Sequence, residues 1–218
     1  MPSGTSKDFG TRALGVLIAF IFTALGTSAQ AATTRIVALG DSLTAGYGLP
    51  KADAFPAKLQ AALKAAGHDV LIENAGVSGD TSTGGKQRLD WALSNTPKIV
   101  IVELGANDAL RGVDPSLTEK NLDAILTSLA KRGMTVVLAG MQAPRNFGPE
   151  YAKEFDAIYP RLAKKHNVLL YPFFLEGVAM KPTLNQADGI HPTAKGVDLI
   201  VQSILPTIEK ALSRANPS

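Results

Sequence analysis

The chain has 218 residues, of which 45% are hydrophobic and 19% charged, with a formal net charge of +3 and no cysteine. This is enough apolar material for one domain with a sizeable core. The basic excess is thin and is not interleaved with aromatics, which argues against a nucleic-acid footprint, and the lack of cysteine excludes thiol catalysis, Cys-ligated zinc, lipid attachment through Cys and any disulfide framework.

In chain order, Lys7 and Arg12 precede an uncharged apolar stretch at 13–25, and Ala29-Gln30-Ala31 follows as a small-x-small cleavage pattern. Residues 1–31 are therefore expected to be a secretory signal peptide, with a single folded domain at 32–218 and a periplasmic or secreted location in a bacterium. The competing reading is an uncleaved anchor. The strongly apolar core is short for a span of about 20 residues, so no stable membrane span is expected after cleavage.

Apolar runs then alternate with helical patterns. "RIVALG" (35–40), "DVLIENAG" (69–76), "KIVIVELG" (98–105), "MTVVLAG" (134–140) and "NVLLYPFF" (167–174) read as strands. Their near-continuous hydrophobicity predicts burial on both faces, as in a parallel sheet. Helices are expected at about 54–66, 83–95, 116–131, 150–165 and 193–212, with Pro160 kinking or splitting the fourth. Gly67 and Gly133 stand where helices should end. Strand–helix–strand repetition implies right-handed crossovers and a three-layer α/β/α sandwich around a five-stranded parallel sheet. Ligands of such sheets bind at the carboxyl ends of the strands.

Chemistry-bearing residues collect at those ends. Gly40-Asp41-Ser42-Leu43 follows the first strand, "NAGVSGDTS" with Gly79 the second, and Gly105-Ala106-Asn107-Asp108 the third. "DGIHP", Asp188 to Pro192, precedes the last helix. A serine hydroxyl needs a base, and His191 is the candidate. Asp188, three residues earlier, is placed to orient the imidazole. The Ser42 and Gly79 amides and the Asn107 carboxamide are candidate donors to an oxyanion. Asp41 and Asp108 are expected to hold their loops through side-chain to backbone bonds, and Asp80 is ambiguous for the same reason.

This set resembles the SGNH hydrolases, also called the GDSL family. Ser42 lies in "GDSL", Gly79 in "VSGDTS", Asn107 in "GANDAL", and Asp188 with His191 in "DGIHP". "NAGVSGDTSTGG", "IVELGANDALRG" and "YPRLAKKHNVLLYPFFLEGV" are similar to the bacterial periplasmic thioesterase I / lysophospholipase L1 / arylesterase group. The resemblance implies a flavodoxin-like fold and hydrolysis of carboxylic esters or thioesters through an acyl-serine. It also implies no metal and no cofactor. Small acyl or aryl esters, lysophospholipids and acyl thioesters are the implied substrates, and the oligomeric state is left open.

Rival features are weaker. Ser78 is the alternative nucleophile but carries no motif. His68 and His166 are expected at the surface. The Gly-x-Ser-x-Gly elbow is absent because Thr44 stands at its last glycine. "GDTSTGGKQ" is no phosphate loop, since Asp80 replaces its first glycine and Gln87 its magnesium-binding hydroxyl. Met141, Pro144 and Phe147, after the fourth strand, are expected to wall an acyl or aryl site, or else to belong to a plain surface loop and tuck against the following helix. A carbohydrate O-acetylesterase and a non-catalytic binding module on the same fold are the alternative functions.

Overall fold

The computed structural model describes residues 1, 3–5 and 33–217. The chain separates into two units, residues 1–30 and 31–218, and the features expected of a signal peptide at 7–31 lie outside the described residues. The second unit contains β1 (Thr34–Gly40), α1 (Ser42–Ala45), α2 (Phe55–Ala65), β2 (Val70–Gly76), α3 (Ser82–Gln87), α4 (Leu89–Ala92) and β3 (Ile99–Glu103). It continues with α5 (Ala106–Leu110), α6 (Pro115–Lys131), β4 (Thr135–Ala139), α7 (Pro149–Asp156), α8 (Ile158–His166), β5 (Leu169–Tyr171) and α9 (Ala194–Ala215).

The five strands are all parallel, in the order β2-β1-β3-β4-β5. β1 is paired on both sides, with Gly40 in register with Gly76 of β2 and with Glu103 of β3. The winding direction reverses between β1 and β3, so a crevice opens there beyond the carboxyl ends of the strands. Helices α2 and α9 pack on each other against one face, while α6 and α8 cover the other. β1, β3 and β4 are almost wholly buried, as their apolar runs predict. β2 and β5 are edges and expose several side chains, because each has a neighbour on one side only.

One helix expectation is corrected by the structure. The stretch at 83–95 is not one helix but α3 and α4, broken at Arg88. The Arg88 guanidinium reaches the Ala75 carbonyl (2.7 Å), the Gly40 carbonyl (2.8 Å) and Asp80 (2.5 Å), and these bonds hold the break. The fourth helix is split as expected, into α7 and α8 at Ala157, so Pro160 sits in the first turn of a new helix, where its missing N–H is not needed. The fifth strand is also shorter than its apolar run, stopping before Pro172.

Candidate active site

Ser42 follows β1 directly and opens the short helix α1, whose cap is the Asp41 carboxylate accepting from the Leu43 amide at 3.0 Å. Gly40 must lack a side chain. A Cβ there would lie 2.0 Å from Thr44 Oγ1 and 2.6 Å from Glu103 Oε2, the two atoms that bond each other at 2.7 Å beneath the serine. The Gly-Asp-Ser run is therefore a tightly supported corner.

His191 comes from the loop before α9. Its Nε2 lies 2.9 Å from Ser42 Oγ, and its Nδ1 lies 2.7 Å from Asp188 Oδ2. The other oxygen, Asp188 Oδ1, accepts from the Ile190 and His191 amides at 3.0 Å each. The His191 amide first, then the His191 ring and the Ile190 amide, pull the Asp188 carboxyl down to about 2, so it is ionised at any working pH. The ring is held from a second side by Tyr47, whose centroid lies 4.5 Å away. Gln186 ties both loops together: its Nε2 donates to the Tyr47 carbonyl at 2.8 Å, and its amide donates to the His191 carbonyl at 2.7 Å.

The three oxyanion candidates, Ser42, Gly79 and Asn107, line the same cavity. Among the described residues, neither the Ser42 amide nor the Gly79 amide has an acceptor. Gly79 has φ +84, a left-handed conformation that glycine adopts without strain. Asn107 Nδ2 donates one proton to Asp41 Oδ2 at 3.1 Å and keeps its second free. Asp108 links the two loops, accepting from the Ser82 amide (2.7 Å), Ser82 Oγ (2.5 Å) and Thr118 Oγ1 (3.1 Å). Asp80 is instead the ion-pair partner of Arg88.

Not every expectation is met. Met141 and Pro144 line the cavity beside Ser42, whereas Phe147 does not. A short helical turn at Arg145–Phe147 directs its ring onto Tyr151, at a centroid distance of 5.3 Å. His166 is not a free surface group: its side chain is mostly covered and meets Asp123 at 2.6 Å. His68 is half exposed and lies 3.6 Å from Glu209. Ser78 also borders the cavity, but the imidazole faces Ser42.

Sequence reasoning missed the apolar residues that shape the cavity, among them Leu110, Phe173, Leu175, Met180 and Ile190. It also missed Glu103, fully buried behind the serine loop. Burial first, and then the neighbouring Asp41, push the Glu103 carboxyl well above its ordinary range. A carboxyl whose folded value is raised binds its proton more tightly folded than unfolded. Its contribution to stability is therefore lost as pH rises above the unfolded value. Glu103→Gln, which cannot ionise, is expected to gain on the native protein as pH rises from 5 to 8. The gain is at most about 1.4 kcal/mol per pH unit, read as melting temperature across that range.

The family model for GDSL-like lipase/acylhydrolases matches residues 38–199. The chain belongs to that family. Relatives align over most of their length. Esterase TesA of Pseudomonas aeruginosa is 39% identical over 84% of this chain and 92% of its own. A protein of Escherichia coli named thioesterase 1/protease 1/lysophospholipase L1 is 42% identical over 79% and 82% respectively. The crystal structure of AlinE4, an SGNH-hydrolase family esterase, superimposes with a TM-score of 0.70 at 49% identity, covering 83% of this chain and 97% of AlinE4. This SGNH hydrolase is thus an ester hydrolase of the same α/β fold.

Proposed function

We propose that catalysis is a two-step acyl transfer on Ser42. The observation that carries this reading is the unbroken chain Ser42 Oγ–His191 Nε2, His191 Nδ1–Asp188 Oδ2 at the mouth of an apolar cavity. His191 takes the serine proton as Oγ attacks the acyl carbon. The carbonyl oxygen becomes an anion facing the Ser42 and Gly79 amides and the free proton of Asn107 Nδ2. His191 then protonates the leaving alcohol or thiol, and water repeats the sequence to release the acid. Asp188 stays ionised down to about pH 2, so the carboxylate that orients His191 keeps its charge at any working pH.

The cavity holds about 760 Å³, within the range of sites for single small molecules. Leu110, Met141, Phe173, Leu175, Met180 and Ile190 give it an apolar lining suited to an acyl or aryl group. Monomeric esters, lysophospholipids and acyl thioesters of short to medium chain are the proposed substrates. Trp91, 70% exposed on α4, is not part of this lining, so it offers no stacking surface for a sugar at Ser42. The positively charged start, the apolar stretch at 13–25 and Ala29-Gln30-Ala31 support an exported protein cleaved near Ala31.

The test is a panel of p-nitrophenyl esters of graded chain length, with lysophosphatidylcholine, palmitoyl-CoA and acetylated xylan. The expected kcat/KM rises from acetyl to a medium chain and then falls, and acetylated xylan is not turned over. Preference for acetyl alone, or for the xylan, would overturn the substrate assignment while leaving the mechanism standing.

A further inference from the structure

We propose that Asp41 is a positioning residue that aims the Asn107 carboxamide at the oxyanion, and that buried Glu103 beside it stays protonated, leaving the pair one negative charge. The proposal rests on the acyl-transfer reading above and adds to it two carboxyl groups that touch no substrate.

The geometry is specific. Asp41 is fully buried, and its two oxygens have separate tasks: Oδ1 accepts from the Leu43 amide at 3.0 Å, and Oδ2 accepts from Asn107 Nδ2 at 3.1 Å. A carboxamide has only two N–H groups on that nitrogen. With one anchored on Asp41, the direction of the other is set, and preorganised donors are what stabilise a developing anion. The neighbouring carboxyl is equally constrained. Glu103 Oε2 accepts from Thr44 Oγ1 at 2.7 Å and lies 3.4 Å from the Asp41 amide, whereas buried Oε1 has no partner among the described residues. An ionised carboxylate needs donors on both oxygens. A protonated one leaves a neutral oxygen unpaired, which costs far less.

The charges facing this pair come from several elements. Glu103 ends β3, Asp108 stands on α5, His191 approaches from the loop before α9, and the Tyr159 hydroxyl reaches in from α8. Burial first raises the Asp41 carboxyl, while Leu43, Asn107 and His191 lower it, for a result of about 6. Two carboxylates so close cannot both ionise cheaply, and the one with bonded donors on both oxygens, Asp41, keeps the charge.

Asp41→Asn has a single acceptor oxygen and must forfeit either Leu43 or Asn107. Assayed on a p-nitrophenyl ester, it is expected to lower kcat about 10²-fold, the low end of losing one oxyanion donor, with KM within about threefold. Because Asp41 acts through Asn107, the double variant Asp41→Asn/Asn107→Ala should be no more than about threefold slower than Asn107→Ala alone. The infrared spectrum near neutral pH should contain a protonated-carboxyl stretch that disappears in Glu103→Gln. If Asp41→Asn does not fold, Asp41→Glu, which keeps the charge but displaces it, is put through the same cycle with the same expectation. A folded variant with near-native kcat, losses that multiply in the double variant, or no band removed by Glu103→Gln would each overturn the proposal. Failure of the acyl-transfer reading is seen separately, as a Ser42→Ala variant that stays active.

Discussion

Ser42→Ala is expected to lower kcat on a p-nitrophenyl ester by about 10⁶-fold, the size of loss seen when a serine nucleophile is removed from a triad. Among the described residues, the Ser42 hydroxyl is the nucleophile within bonding distance of His191 Nε2. Without it, the oxyanion donors and the cavity remain, so a small residual rate over water is expected rather than none. The fold should survive. Alanine suits the first turn of α1, and Asp41 still caps that turn through the Leu43 amide. Loss of the one hydroxyl bond should cost only about 1 kcal/mol. A melting temperature within a few degrees of native, measured alongside the rate, separates a chemical loss from an unfolding one.

Asp188→Asn should come next in size, with kcat reduced about 10³–10⁴-fold and KM nearly unchanged. The reason is geometric as much as electrostatic. Asp188 Oδ1 receives two backbone amides, so an asparagine oxygen will take that place and turn its NH₂ toward His191 Nδ1. Two donors then face each other, and the imidazole must present the wrong tautomer to Ser42 or rotate away. The ionic partner of the imidazolium is lost as well. Stopped-flow and steady-state rates on the same ester measure the effect; a loss under tenfold would mean that Tyr47 and Gln186 alone hold the ring.

Much of this site is visible in the chain because its parts are local. Asp188 and His191 are three residues apart and belong to one turn, and Gly40-Asp41-Ser42 is a single strand end. β1, β3 and β4 read correctly because strands buried on both faces must be apolar throughout. What escaped reading is long-range. The bond from Asn107 to Asp41 spans 66 positions, and that from Gln186 to Tyr47 spans 139. Arg88 breaks a helix through contacts with β1 and β2 that no helical periodicity announces. Glu103 did leave a trace, as one carboxylate closing the apolar run "KIVIVELG". A charged residue inside a fully buried strand is itself a signal that a partner waits at the sheet's edge. For Phe147 the sequence left two readings open, lining the site or tucking against the following helix, and its ring takes the second, against Tyr151 of α7.

The central claim, that Ser42 is the acylated group, is tested most directly by trapping. The protein residues 32–218 would be incubated with a p-nitrophenyl phosphonate ester, then measured by intact mass and peptide mapping. The account predicts one adduct per chain, on Ser42, with activity lost in step and no labelling of Ser42→Ala. An adduct on Ser78, or full labelling that leaves the esterase rate untouched, would contradict it.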